Sequence, residues 1–512
     1  MNMRKQQVLG YLPDERPSIW KLFLYAVQQV IVMFPATVTV ALLTGFQVST
    51  TIFASGLATI CFILITRRQI PLYYGSSFSY LTAVAGLMAG DEIQKLVSPE
   101  TAEALQNWSS GDILPGEAIS YAQFGIIMSG FISIAAGLLV RFFGTKSVEK
   151  LLPATITGPV AMIIGLTLAG NALSDAAPVA ELTASSAPAA GSNWVWAVSL
   201  VTLLSTIIFS RYLKGFLGQL PLLLGAAVGC GLAGLLVAFG GGEMSLFRQI
   251  PSEALSASIW SWGPIALPAF TLPKASWAAV FAIMPIAIAT IPESTAHMYQ
   301  LDIYVNNLAK QKGVSKKYDL VGKLDKNLIG DGIGDMVSGF VGGPAGTNYG
   351  ENISTMAITK VFSVPVLIVA AVIAMIISCF TPLIQGIYAI PQAVIGGLEI
   401  YLFGAIAAQG IAIMIDKKAD MFSSKNIAVI ATIMIIGLGG QYAFDGNISF
   451  FGLEVPCIAG AAIFGIVLNL ILSIGEKRNN GKEQPAQAEQ SAPEQPEDVK
   501  QPEETVSEQP AE

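Results

Sequence analysis

Apolar runs of about 17–25 residues follow one another from Leu22 to Ile474, each long enough for a helix to cross a bilayer. Only 12% of the 512 residues are charged and 53% are hydrophobic, whereas a soluble domain is about 25% charged. The chain is therefore expected to be an all-α polytopic membrane protein. Its first run, Leu22 to Leu43, exceeds the core of a signal peptide, which is about 7–15 residues. No cleavage site or transit peptide is evident, so no leader is expected.

The runs suggest fourteen crossings, centred near 22–43, 48–66, 70–90, 120–140, 151–171, 194–211 and 217–239, then 277–299, 326–342, 346–360, 362–382, 391–414, 426–443 and 456–474. Charge supports this count. With both termini on the cytoplasmic side, all but three of the 28 basic residues fall in cytoplasmic loops or tails, the exceptions being Lys95, Arg248 and Lys274. That asymmetry is the positive-inside rule, and one missed helix would invert every later loop. Two sets of seven crossings enter the membrane in opposite directions, so the halves are expected to form an inverted repeat.

The net charge of −7 is concentrated at one end. From Glu483 to Glu512 there are nine acidic residues and one lysine, amid Gln, Pro and Ala. Such a composition cannot bury enough apolar surface to fold. The expected organisation is a cytoplasmic N-terminus over 1–19, a transporter over 20–475 and a disordered acidic cytoplasmic tail over 476–512. Cys61, Cys230, Cys379 and Cys457 are scattered through apolar segments without metal-ligand spacing, so neither a disulfide framework nor a metal site is expected. No cofactor or catalytic group is expected either.

Two crossings are interrupted. The third carries YGSSFS from Tyr74 to Ser79, and the tenth carries YGENIS from Tyr349 to Ser354. Tyr, Gly and Ser fall in the same register in both. Irregular backbone at membrane depth survives only where protein covers it or where it lines a cavity. Interruptions at matching places in two halves point to a transporter's binding site. A second echo joins PATITG, from Pro153 to Gly158, with PQAVIG, from Pro391 to Gly396.

Ionisable groups at membrane depth cost about 2.5–3.5 kcal/mol each on insertion scales and are functional candidates by default. Here they are Glu293, His297, Asp331, Asp335, Glu351 and Glu399. Glu293 and His297 stand four apart, on one helix face. A carboxylate in that setting can hold or release a proton, and the chain's one histidine can relay it or simply orient the carboxylate. Glu351 sits where a half-helix starts, beside free backbone N–H groups. An acceptor next to donors matches a planar ring whose edge alternates N–H and C=O, with Phe78 stacking on its face. Helix capping is the alternative for Glu351, and Asn352 is placed to cap as well. Asp331 and Asp335 suit an interfacial or capping role as well as a binding one. Glu399 has no evident local partner and is not assigned to the site.

The stretch from Asn348 to Asn352, continued through Met356 to Lys360, resembles the signature of uracil permeases in the nucleobase/ascorbate transporter family, also called nucleobase:cation symporter-2. Gly75 to Phe78 resembles the family's third-crossing motif, Glu293 and His297 fall at its eighth-crossing Glu and His, and Gln28 with Met33 to Thr37 resembles its first crossing. The similarity spans about Trp20 to Ile474. It implies a core domain (about 20–141 and 276–387, crossings 1–4 and 8–11), and a gate domain (about 150–240 and 390–475, crossings 5–7 and 12–14). It also implies short strands in crossings 3 and 10, a homodimer in the plasma (inner) membrane, and elevator-type motion. By resemblance Glu293 and Glu351 hold the nucleobase, with Phe78, Gly350 and Ala36 assisting and Tyr349, Ser77, Asn352 and Asp331 in support. Glu293 and His297 carry proton coupling.

The chain departs from that pattern at Gln29, where His is usual, at Pro35, and at Pro292 before Glu293. Asp331 is similar to the purine-transporting branch, whereas Glu351 favours a pyrimidine. The resemblance thus implies proton-coupled import of uracil, with a xanthine or purine transporter as the alternative. A sulfate-type anion transporter of the same architecture is a further rival, but two site carboxylates would repel its substrate. A membrane enzyme would need a nucleophile–base pair or metal cluster that the sequence does not offer.

Overall fold

The structure, a computed structural model, describes residues 9–108, 112–145, 150–178, 193–240, 246–248, 261–444, 446–450 and 453–479. Nearly all of the acidic tail expected at 476–512 lies outside these residues.

In the first half, α1 (Ile19–Thr44) and α2 (Val48–Ile65) lead into strand β1 (Tyr74–Ser76), a single 3-10 turn and α3 (Leu81–Ala89). Two short helices, α4 (Asp91–Leu96) and α5 (Pro99–Gln106), precede the long α6 (Gly116–Phe143). Then come α7 (Ala154–Thr167), α8 (Ala169–Ala176), α9 (Trp194–Tyr212) and α10 (Pro221–Phe239). A two-residue hairpin, β2 (Ser261–Trp262) and β3 (Ile265–Ala266), opens the second half. It is followed by α11 (Trp277–Ile283), α12 (Ala287–Gln311), α13 (Leu324–Val341), strand β4 (Gly346–Asn348), α14 (Gly350–Thr359), α15 (Val364–Ile377) and α16 (Thr381–Tyr388). The chain ends with α17 (Gln392–Asp416), α18 (Ser424–Phe444), hairpin β5 (Asn447–Phe450) and β6 (Leu453–Pro456), and α19 (Cys457–Asn479).

Among the described residues ten helices are long and apolar enough to span a membrane, counting α7 with α8 and α11 with α12 as continuous units. Fourteen apolar segments do not become fourteen long helices, for a physical reason. The third and tenth segments spend residues on β1 and β4, leaving short helices behind them. The ninth, α13, carries Asp331, Asp335 and several glycines, and the eleventh, α15, is 14 residues long.

Hydroxyls in the spanning helices bond backbone carbonyls of the preceding turn, which spares them bare exposure to the bilayer. In α2 the Thr59 hydroxyl donates to the Ser55 carbonyl at 2.8 Å and Thr66 donates to that of Phe62 at 2.8 Å. Pro35 and Pro292 lie inside α1 and α12, where each removes one backbone donor.

The helices pack in two groups. Helices α1, α2, α6, α13 and α15 pack on one another, with α11 and α12 against α6. Helices α7, α8, α9, α10, α17, α18 and α19 form the second group. Each group has a backbone-to-backbone crossing that needs glycine. A Cβ on Gly332 of α13 would sit 2.3 Å from the Gly130 carbonyl oxygen of α6, and one on Gly410 of α17 would sit 2.4 Å from that of Gly158 in α7. The groups meet where α12 passes α7, and the cavity described next lies between them.

Candidate functional site

The two interruptions meet each other. Strands β1 and β4 pair antiparallel, Tyr74 opposite Asn348, Gly75 opposite Thr347 and Ser76 opposite Gly346. The pairing extends at both ends, from Ser77 N to the Ala345 carbonyl and from Tyr349 N to the Tyr73 carbonyl, both at 3.0 Å. Pairing across the two halves satisfies backbone groups that a broken helix would otherwise leave bare. Gly75 is required here, because a Cβ would meet the Tyr349 ring. That ring is fixed in turn by its hydroxyl, 2.9 Å from the Thr37 hydroxyl of α1.

Each strand hands over to a helix at the cavity wall. After β1, Ser77 accepts from Ser79 N and Phe78 opens the 3-10 turn. After β4, α14 begins at Gly350 with no cap from the side chain of Tyr349 before it, while the Glu351 carboxylate lies against its own backbone N–H. Glu351 is exposed at this start, but its exposure is to the cavity that it lines.

From α12, Glu293 and His297 face the same space, one helical turn apart. Glu293 and Glu351 lie close enough to feel each other's charge. His297 is buried, its ring against the Asn348 backbone and its Nδ1 without a partner. A Cβ on Gly350 would lie 3.0 Å from its Nε2, so the imidazole covers the start of α14. Among the described residues' hydrogen bonds none joins His297 to Glu293.

The cavity measures about 320 Å³. Of the residues expected to form it, Glu293, Glu351, Phe78, Gly350, His297, Tyr349 and Ser77 all line it. Three do not. Ala36 is buried in the apolar core around α1, Asn352 turns away to donate to Gln29 Oε1 at 2.8 Å, and Asp331 lies behind the wall. Asp331 receives the Ser294 hydroxyl and the side-chain amides of Asn327 and Asn348, at 3.3 and 3.2 Å. It therefore braces Ser294, next to Glu293, and Asn348, at the end of β4. Asp335 does the same for the strands, accepting from the Tyr74 hydroxyl at 2.5 Å and from Gly346 N at 2.8 Å.

The opposite wall belongs to the second group of helices and was not foreseen from the sequence. It consists of Thr157, Ala161 and Ile164 on α7, Gln219, and Ile406, Gln409 and Ile413 on α17. Gln409 is an amide in the middle of an apolar helix, and that is the one signal the sequence offers for this wall. Thr157, Pro292 and Ile413 also line a wider depression of about 620 Å³ edged by Lys150, Asp416, Lys417 and Lys425. The cavity thus communicates with the basic face. Among the described residues no lysine or arginine lines the cavity itself, and no group of three His, Cys, Asp or Glu side chains converges as a metal site.

Among the described residues ten helices long and apolar enough to cross a membrane surround a cavity that holds two carboxylates and opens toward one face, the layout of a multi-pass membrane protein. A family model described as Permease family matches residues 20–446, and the chain belongs to that family. Among curated proteins it is 32% identical over 462 residues to a protein named uracil permease from Bacillus caldolyticus, covering 90% of this chain and 94% of the relative. It is 31% identical over 463 residues to the putative pyrimidine permease RutG of Escherichia coli, covering 90% and 91%. Among solved structures it is similar to the murine Slc26a9 anion transporter in its inward-facing state, at TM-score 0.58 and 12% identity, covering 90% of this chain and 69% of that one. It is also similar to the transmembrane domain of the cyanobacterial bicarbonate transporter BicA, at TM-score 0.53 and 16% identity, covering 88% and 96%. At such identities these two likenesses concern the fold alone.

Proposed function

We propose that this chain imports a nucleobase, uracil, by proton symport. The observation that carries the reading is one cavity holding two carboxylates, Glu293 and Glu351, beside the start of α14 and the ring of Phe78. Uracil presents ring N–H donors alternating with carbonyl acceptors along a planar edge. The carboxylates accept from the donors, the N–H at Gly350 serves a carbonyl, and Phe78 covers the face. The names of the relatives, uracil permease and pyrimidine permease, favour the same substrate class.

Coupling is assigned to Glu293, with His297 tuning it. The two packed groups of helices are read as core and gate, and the cavity between them as the ground over which the core slides in an elevator-type cycle. Fourteen crossings in an inverted repeat, a homodimer, and cytoplasmic termini on the basic face belong to the same proposal. An anion substrate, such as the fold neighbours' titles name, finds two carboxylates and, among the described residues, no basic side chain in the cavity. The likeness of Asp331 to the purine branch carries little weight for selectivity, since Asp331 does not reach the cavity.

The test is uptake of labelled uracil by proteoliposomes holding the full chain, with unlabelled uracil, xanthine, thymine, cytosine and sulfate as competitors. Competition by uracil but not by xanthine or sulfate is expected. Stronger competition by xanthine would move the assignment to a purine, and absence of uracil uptake would sink it.

A further inference from the structure

Residues Gly10 to Glu15, just ahead of α1, form a strap across the far ends of α12 and α14, the helices that carry Glu293 and Glu351 to the cavity. On the α14 side the strap pairs backbone to backbone. Tyr11 N donates to the Lys360 carbonyl and Phe362 N to the Tyr11 carbonyl, both at 2.8 Å, and Val364 N donates to the Pro13 carbonyl at 3.1 Å. The Ser363 hydroxyl adds a bond to the Glu15 carbonyl at 2.6 Å. On the α12 side the contact is ionic. Lys312, the residue after α12, donates to the Glu15 carboxylate at 2.7 Å and to the Gly10 carbonyl at 3.0 Å. Glu15 also accepts from Leu12 N at 2.8 Å, and Leu12 anchors the strap at 1% exposure. Farther on, Lys316 and Tyr318 hold Asp14 at 2.8 and 2.5 Å.

The strap matters to the cavity because α14 is short. Its ten residues span about 15 Å, so a shift at its last residue tilts its first. Strand β4 holds the start of this helix, and the strap holds its finish. Lys360, where the helix ends, has left-handed backbone at φ 57°, which a residue other than glycine keeps only where its surroundings enforce it. The strap lies against that residue so closely that a Cβ on Gly10 would sit 2.3 Å from the Lys360 carbonyl oxygen. The Lys360 ammonium in turn donates to Gln311 of α12 at 2.8 Å. Strap, α12 and α14 thus close into one unit.

We propose that Lys312 and Glu15 are positioning residues for the ligand. By clasping the strap to the end of α12 they set the tilt of α14, and with it the place of Glu351 in the cavity. Neither residue lines the cavity, so each acts through α14. Binding groups have to be held to within about 0.5 Å by the residues behind them. The inference rests on the reading of the cavity as the uracil site.

The test combines two readouts on the full chain in lipid nanodiscs, hydrogen exchange without ligand and calorimetry with uracil. Lys312→Met removes the ammonium and keeps the length of the side chain. Exchange should rise several-fold across Gly350–Thr359 while α2 and α13 stay native, and the uracil dissociation constant should rise several-fold. Lys312→Arg keeps the charge and the donors and should restore both. Glu15→Ala opens the same clasp from the strap side, so it should match Lys312→Met and replaces it if that variant does not fold. Native exchange in α14, or a rise shared equally by α2 and α13, would overturn the proposal. So would an unmoved dissociation constant beside raised exchange, failure of Lys312→Arg to restore either, or failure of both clasp variants to fold. A native chain that binds no uracil would remove the substrate reading instead, and the exchange readout, which needs no ligand, would still decide whether the clasp holds α14.

Discussion

Tyr74 donates its hydroxyl to Asp335 at 2.5 Å, joining the strand of the third segment to a helix from the other half of the chain. The same carboxylate oxygen accepts from Gly346 N in the partner strand at 2.8 Å. One buried side chain on α13 therefore fixes both strands whose ends carry Phe78 and Glu351 to the cavity.

Removing the Tyr74 hydroxyl leaves a fully enclosed carboxylate short of a donor, which costs about 1–3 kcal/mol. Tyr74→Phe should lower the unfolding temperature of the purified protein measurably while leaving the Gly346 contact in place. An unchanged unfolding temperature would show that the strands do not depend on this bond.

Glu351 is the acceptor placed nearest the start of α14. A hydrogen bond to a charged group is worth about 1.5–3 kcal/mol, and about 1.4 kcal/mol is tenfold in affinity. Glu351→Ala should weaken uracil binding at least tenfold in calorimetry. Native affinity in that variant would remove Glu351 from the site.

Phe78 is partly buried and its ring borders the cavity. If it covers the face of the ligand, Phe78→Ala should raise the dissociation constant several-fold and Phe78→Tyr should raise it less, since the ring remains. Equal losses in the two variants would assign Phe78 to packing of the break instead.

Much of this architecture was legible in the sequence because polar or flexible residues in apolar runs have few explanations. The two breaks, Glu293 with His297, and Glu351 were visible on that ground, and all of them border one cavity. The echo between PATITG and PQAVIG also holds its register, Pro153 and Pro391 each standing just before the first residue of its helix. The Tyr-Gly-Ser echo does not. It aligns Tyr74 with Tyr349, but Tyr74 begins β1 whereas Tyr349 follows β4, three residues past Gly346. Residue identity there reflects what a tight break tolerates rather than structural equivalence.

Direction of a side chain is what the sequence withheld. Asn352 and Glu351 are neighbours on α14, and a single residue step turns one toward Gln29 and the other into the cavity. Gln409, Gln219 and Thr157 reach the cavity only because the second group of helices packs against the first, and nothing periodic marks them beforehand.

The central claim is that Glu293 carries the proton that drives accumulation. It stands in α12, lines the cavity and lies within the field of Glu351, and that placement supports the proposed linkage of substrate and proton occupancy. The most direct measurement is concentrative uracil uptake by proteoliposomes under an imposed pH gradient, comparing the native chain with Glu293→Gln. Native uptake should rise when the outside is acidified, collapse with a protonophore and need no sodium, and Glu293→Gln should lose uphill accumulation altogether. Sodium-driven uptake that ignores the protonophore, or a Glu293→Gln protein that still concentrates uracil, would contradict the account.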